Sequence, residues 1–159
     1  MVELRDANDP SLIIATQSAL IQRDGDVVMT DGISPLSFQG IANSAAYVAI
    51  RHRNHFGIRT LDTFATDIDI VINFSDLSFP VFGFDSMIEV ENVKTLISGD
   101  ANKDGQINAV DKNNFWRVEN GEPFDYINSK ADFNLDGAVN PVDKNGYWRV
   151  NNSKVEQLD

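Results

Sequence analysis

The sequence predicts an antiparallel β-sandwich over residues 1–97, followed by a small α domain over residues 98–159 that is built from two loop–helix units. Two observations lead to this division. The first part contains short segments rich in β-branched and aliphatic residues, separated by Gly, Pro and Asp turns. The second part contains a pattern that occurs twice, 32 residues apart.

Short apolar segments predict the strands of the sandwich. They are Ser11–Gln22, Val27–Met29, Tyr47–Ile58, Asp67–Phe74 and Ile88–Ile97. Asp24 and Gly25 stand between the first two segments and predict a hairpin turn. Tyr47–Ile58 and Asp67–Phe74 alternate apolar and polar side chains, as half-buried strands do. Several short strands at this spacing indicate a sandwich of the prealbumin- or immunoglobulin-like type.

The repeated pattern predicts calcium loops. The copies read GDANKDGQINAVDKNNFWRV from Gly99 to Val118 and ADFNLDGAVNPVDKNGYWRV from Ala131 to Val150. Each copy places oxygen-bearing side chains at positions 1, 3, 5, 9 and 12 of a loop, with Gly at position 6 for a sharp turn. Ca²⁺ takes about six to eight hard oxygen ligands from this spacing, including a main-chain carbonyl at position 7.

Both loops supply a complete set of donors, which predicts two Ca²⁺ ions. In the first loop the predicted ligands are Asp100, Asn102, Asp104, the Gln106 carbonyl, Asn108 (directly or through water) and Asp111. In the second loop they are Asp132, Asn134, Asp136, the Ala138 carbonyl, Asn140 and Asp143. The alternative is a pair of Asx-turn loops without metal, but two complete copies favour metal binding.

The residues around these ligands predict how the two loops fold. Ile107 and Val139, at position 8, are expected to turn inward and couple the loops. Asp111 and Asp143 are expected to begin a helix, where a carboxylate suits the positive helix end. Position 12 is Asp where an EF-hand has Glu, and no amphipathic helix precedes either loop, so each unit is loop–helix.

The duplicated loops resemble a type I dockerin, the calcium-binding module of cellulosomal proteins. They are even more similar to the dockerin-like repeats at the C-termini of large secreted Bacteroidetes proteins of the hemagglutinin- or adhesin-like kind. Val2–Asp6, Ser18–Val27 and Arg51–His55 resemble the module that precedes those repeats. This resemblance implies protein–protein anchoring or adhesion at the cell surface after secretion through the type IX pathway. Millimolar extracellular calcium suits such a site.

The docking positions depart from those of cellulosomal dockerins. Their cohesin-contacting residues at loop positions 10 and 11 are typically Ser or Thr, whereas this chain has Ala109–Val110 and Pro141–Val142. Trp116 and Trp148 replace the Lys that often sits five residues after position 12 in those dockerins. The departures leave the calcium ligands intact and make an ordinary cohesin an unexpected partner.

Each Trp is followed by an Arg, which gives a duplicated Trp–Arg pair: Trp116, Arg117, Trp148 and Arg149. One interpretation is a surface for a protein partner, cohesin-like or on the cell surface, because Trp and Arg are frequent at interface hot spots. The other, which we favour, is packing of each helix on the other loop or on the sandwich, because indole side chains are usually well buried.

Arg51–His55 is the densest polar cluster of the predicted sandwich. If this segment is a strand, His52 and His55 point to opposite faces and cannot share a metal. We therefore expect a structural role, with ion pairs to Asp24 or Asp26 of the hairpin.

Composition and motifs exclude several classes of function. The net charge of -11 argues against nucleic acid and anionic membranes, and no apolar run approaches the roughly 18 residues of a membrane span. The absence of Cys removes disulfides and thiolate chemistry. Because no catalytic motif is found, the prediction is a protein that is not an enzyme.

A carbohydrate-binding sandwich with the repeats as a stabilising appendage is the alternative function. It ranks lower because residues 1–98 contain no Trp and a single Tyr, Tyr47, to serve as an aromatic platform. Strand-like Val-Glu-Leu-Arg follows Met1 at once, so we expect the chain to be a piece of a longer protein.

Overall fold

A computed structural model describes residues 1–22, 25–41 and 44–158. It is mostly antiparallel β-structure with two short helices. The strands are β1 (Val2–Asp6), β2 (Ile13–Gln17), β3 (Leu20–Ile21), β4 (Val27–Val28), β5 (Ala45–Ile50), β6 (Ile58–Arg59), β7 (Phe64–Ala65), β8 (Met87–Val90) and β9 (Val93–Leu96). Among the described residues, no helix has the length and apolarity that a membrane crossing requires.

The chain forms two compact units, each made of several segments. The β unit comprises Met1–Arg51, Gly57–Thr95 and Gln157–Asp159, and the loop unit comprises His52–Phe56 and Leu96–Glu156. The predicted boundary at residues 97 and 98 divides the chain once. The observed units exchange short segments, so that five residues from between two strands of the β unit belong to the loop unit.

The β unit is organised around one five-stranded antiparallel sheet. Its order is β2-β1-β5-β6, and β7 also pairs with β5. Strand β1 lies between two neighbours and is buried, including the Glu3 and Arg5 side chains, which form an ion pair of 2.8 Å. Pairing buries these charges together, which avoids the cost of leaving either one alone. Two hairpins, β3–β4 and β8–β9, complete the unit.

The predicted strands agree with the structure in part. Strands β2 and β3 lie within Ser11–Gln22, and the returning segment is β4, paired with β3. The predicted turn falls partly on Asp24, which lies outside the described residues. The prediction for Asp67–Phe74 is wrong, since the segment contains no strand. Its alternating pattern suggested a half-buried face, but Ile68 is 60% exposed.

The prediction of one strand over Tyr47–Ile58 is also wrong beyond Ile50. The chain leaves the sheet at Arg51 and returns as β6, where Ile58 pairs back with Ile50. The intervening residues bond within the loop unit instead, as the Phe56 N–H donates to the Ile97 carbonyl at 2.8 Å.

The loop unit contains loop 1 (residues 100–111), loop 2 (residues 132–143) and the helix that follows each loop. The helices are π-helical over Asp111–Trp116 and Asp143–Trp148, then α-helical over Arg117–Glu119 and Arg149–Asn151. Helical backbone starts two residues before each position-12 aspartate, at Ala109 and Pro141, so Asp111 and Asp143 lie in the first turn of each helix. The core of the loop unit is a buried cluster of Ala101, Ala131, Phe133 and Val139. The side chains of Phe115, Trp116 and Trp148, from the two helices, pack against this cluster.

Candidate calcium loops

The two loops make the same backbone turn. Position 4 has a positive φ in both, 61° at Lys103 and 62° at Leu135, and so does the position-6 glycine, 78° at Gly105 and 85° at Gly137. Positive φ is uncommon outside Gly because of crowding at Cβ. Its recurrence at the same two positions means that each sequence copy is also a structural copy.

The position-12 aspartates tie the beginning of each loop to its end. Asp111 Oδ1 accepts hydrogen bonds from the N–H groups of Ala101 at 2.9 Å and Asn102 at 3.4 Å, and its Oδ2 accepts one from Asn108 at 2.8 Å. Asp143 accepts the equivalent three bonds in loop 2, at 2.8, 3.2 and 2.9 Å. Both aspartates are fully buried.

The position-1 aspartates point into the same loops. Asp100 Oδ2 accepts the Gly105 N–H at 3.0 Å, and Asp132 Oδ2 accepts the Gly137 N–H at 3.1 Å. Burial raises the pKa of Asp100 to about 6, and the neighbouring charge of Asp111 adds to the shift. Burial likewise raises the pKa of Asp132. These loops therefore hold carboxylates where negative charge is costly without a cation.

The donor chemistry of each loop fits a hard cation. Three carboxylates, two Asn side chains and one main-chain carbonyl are present at the calcium-loop positions of each copy. Across the described residues, no group of three or more His, Asp or Glu side chains is arranged to hold a metal ion by itself. The predicted ligands of each loop also include amide and main-chain oxygens, which are not counted in such groups. Calcium binding by the two loops stays a prediction.

Each helix is bonded to the loop of the other repeat. The Trp116 indole N–H donates to the Asn140 carbonyl at 2.8 Å, and the Trp148 indole N–H donates to the Asn108 carbonyl at 2.9 Å. Position 9 therefore accepts the same bond in both loops. Both indoles are half-buried. The Trp side chains thus make the intramolecular contact that we favoured.

The position-8 residues carry a second pair of exchanged bonds. Ser153 follows the second helix, and its N–H donates to the Ile107 carbonyl of loop 1 at 2.8 Å. Gly121 is the equivalent residue after the first helix, and its N–H donates to the Val139 carbonyl of loop 2 at 3.0 Å. Ile107 and Val139 are buried, as predicted. Coupling between the loops thus runs through the chain that follows the opposite helix.

The segment His52–Phe56 supplies contacts that the sequence did not reveal. The Asn54 side-chain amide donates to the carbonyls of Lys130 at 3.0 Å and Asp132 at 2.7 Å. The main-chain carbonyl of Asn54 accepts the Gly99 N–H at 3.1 Å. Asn54 is fully buried. It therefore joins the chain that leads into loop 1 to the chain that leads into loop 2.

Arg53 lies beside the first predicted ligand of loop 2. Its Nη2 is 3.5 Å from Asp132 Oδ2, and its Nη1 donates to the Tyr126 carbonyl at 2.8 Å. The guanidinium also lies over the Tyr126 and Phe124 rings, 4.8 and 5.8 Å from their centroids. Asp24, one of the two hairpin acids expected to pair with this cluster, lies outside the described residues. Arg53 pairs with a loop aspartate 79 residues later in the chain.

The two histidines of this segment meet, contrary to the expectation of opposite faces. Their Nδ1 atoms are 3.0 Å apart, because residues 51–54 are not a strand. Burial lowers the pKa of His52 to about 4 and that of His55 to about 3. Both rings are therefore neutral at physiological pH.

No protein-family model, characterised protein or solved structure matches this chain significantly.

Proposed function

We propose that the chain is a non-catalytic calcium-binding module pair of a secreted cell-surface protein, which serves protein–protein anchoring or adhesion. In this proposal the loop unit is a dockerin-like domain with two Ca²⁺ ions, and the β unit is a sandwich. The observation that carries the proposal is the duplicated loop, in which positions 1, 4, 6, 9 and 12 have the same turns and hydrogen bonds in both copies.

Calcium has a clear physical role in this arrangement. Asp100 and Asp111 are buried beside each other, as are Asp132 and Asp143. A bound Ca²⁺ would supply the positive charge that offsets them. Because ligand that binds only the folded chain stabilises it, calcium is expected to raise the melting temperature.

The helix surface supports a role in anchoring. The indole N–H groups of Trp116 and Trp148 are used within the loop unit, but the Arg that follows each Trp is exposed. The next residues, Val118 and Val150, are 65% and 63% exposed. Exposed apolar residues beside Arg favour a protein partner.

Calorimetry on the full chain tests the calcium part of the proposal. Titration should show two Ca²⁺ per chain, and melting temperature should rise with calcium and fall again with EDTA. The matched control is the double variant Asp104→Ala/Asp136→Ala, which removes one exposed ligand from each loop and should lose the calcium response. A melting temperature indifferent to calcium would reject the proposal.

Capture experiments test the partner. The chain, immobilised with calcium, should retain a cell-surface protein, while Val118→Glu/Val150→Glu should retain less of it. Retention of glycans instead of protein would favour the carbohydrate alternative. Tyr47, the aromatic on which that alternative depends, packs its ring against the Arg59 guanidinium, 4.6 Å from the ring centroid.

A further inference from the structure

We infer that the two loops are unequal calcium sites and that Arg53 makes loop 2 the weaker one. This inference rests on the proposed calcium binding and goes beyond it, because the two copies have the same predicted ligands. The one charge that differs within the loops is the exposed Lys103 at position 4 of loop 1, where loop 2 has Leu135. What sets loop 2 apart is the cation that the surrounding chain places beside it.

Loop 2 has a cation built against it. The Arg53 side chain is only 16% exposed, and its Nη2 lies 3.5 Å from Asp132 Oδ2. The Tyr126 carbonyl accepts a bond from Nη1 at 2.8 Å, and the Tyr126 ring lies under the guanidinium. These contacts hold the charge in place, so Ca²⁺ would have to bind beside a fixed positive charge.

Loop 1 is bordered by a negative charge. Among the described residues, no Arg or Lys pairs with Asp100. The Glu156 N–H donates to the Gly105 carbonyl at 2.8 Å. The Glu156 carboxylate lies beside Gly105, with Oε2 3.9 Å from the point where a Cβ on that glycine would stand. The residue 32 positions earlier, which corresponds to Glu156 in the repeat, is Phe124. An extra carboxylate therefore borders loop 1 where the other copy has an aromatic ring.

The expected difference is large enough to measure. A full charge several ångströms from a divalent ion changes its affinity by about tenfold or more even where water screens it. Arg53 also keeps Asp132 in place, which favours binding, but this gain is smaller because the Gly137 N–H already orients that carboxylate at 3.1 Å. Repulsion should therefore dominate.

Calcium titration of full-length variants isolates each loop. Asp104→Ala leaves loop 2 to be measured, and Asp136→Ala leaves loop 1. We expect loop 2 to bind about tenfold or more weakly than loop 1. Adding Arg53→Gln should strengthen loop 2 by about tenfold and leave loop 1 unchanged. Arg53→Lys keeps the positive charge, so it should retain weak binding at loop 2.

The outcomes separate this inference from the proposed function. Two equal sites, or a loop 2 whose affinity Arg53→Gln leaves unchanged or weakens, would overturn the inference while calcium binding stands. Absence of calcium binding by the unaltered chain would overturn both. Far-ultraviolet circular dichroism checks that each variant is folded. If Arg53→Gln is unfolded, the unequal affinities of the Asp104→Ala and Asp136→Ala chains still decide the matter.

Discussion

Loop 1 and loop 2 are nearly identical inside and different outside. Within each loop, the position-1 and position-12 aspartates accept the same backbone bonds at nearly the same distances. Outside, loop 1 is bordered by residues 153–156, whereas loop 2 is bordered by Arg53 and Asn54 from far earlier in the chain. The duplication therefore reproduces each loop and its bonds to the opposite repeat, while unrelated segments supply the remaining neighbours.

The position-12 aspartates offer the strongest test of internal equivalence. Replacing either one by Ala leaves one buried and two partly buried N–H groups without an acceptor, so Asp111→Ala and Asp143→Ala should each cost about 3–5 kcal/mol in EDTA. Urea unfolding would measure both. Costs that differ by more than about 1 kcal/mol would contradict the equivalence of the two loops.

Asn54 and Asn151 bond to the backbone just before the loops, so substituting them tests how the surroundings of the two loops differ. Asn54 donates two bonds on the loop 2 side, whereas Asn151 donates one bond, to the Ser98 carbonyl at 2.9 Å. Asn54→Ala should therefore cost about 2–3 kcal/mol, and Asn151→Ala about half as much. Equal losses in urea unfolding would show that the second bond of Asn54 contributes little.

The pH dependence of the free energy of unfolding tests the burial of His52 and His55. The unfolded chain binds protons on both histidines near pH 6.5, whereas His52 in the folded chain has a pKa of about 4 and His55 of about 3. Stability due to these groups is therefore lost as the pH falls below about 6.5, by at most about 1.4 kcal/mol per pH unit for each.

The variants His52→Asn and His55→Asn should each make this loss smaller. Asp100, whose pKa is raised to about 6, acts in the opposite direction in the calcium-free chain. The informative quantity is therefore the difference between variant and unaltered chain, measured by urea unfolding at pH 7 and pH 5. Parallel profiles would show that the histidines titrate normally.

The tryptophans should give the smallest effect and the most symmetrical one. Trp116→Phe and Trp148→Phe keep a ring but remove the N–H, so each should cost about 1 kcal/mol. Lys144 Nζ lies 4.5 Å from the Trp116 ring centroid and Lys112 Nζ 5.1 Å from that of Trp148, so both rings keep a cation after substitution. Clearly different losses of stability for the two variants would show that the helices also differ in their surroundings.

What could be predicted from the sequence was local. The calcium-loop spacing places Asp100, Gly105 and Asp111 within twelve residues, so their turn and their bonds depend on neighbours in the chain. The burial of Ile107 and a helix with Asp111 in its first turn followed from the same pattern.

What the sequence did not reveal depended on distant pairing. The pattern of Asp67–Phe74 fits a strand, but alternation cannot say whether a neighbouring strand exists. The Arg51–His55 cluster was visible as a polar group, yet nothing in its composition indicates that Asn54 bonds to Asp132. That contact spans 78 residues, and only the path of the whole chain brings the two together.

The exchange of segments between the units has a consequence during protein synthesis. The loop unit takes residues 52–56 from early in the chain, and the β unit takes back residues 157–158, where the Arg59 side chain donates to the Leu158 carbonyl at 2.8 Å. Domains that are continuous in sequence can fold one after another as they leave the ribosome. Here the β unit cannot complete its folding before residues 157–158 have been synthesised, by which point the whole loop unit has also been made.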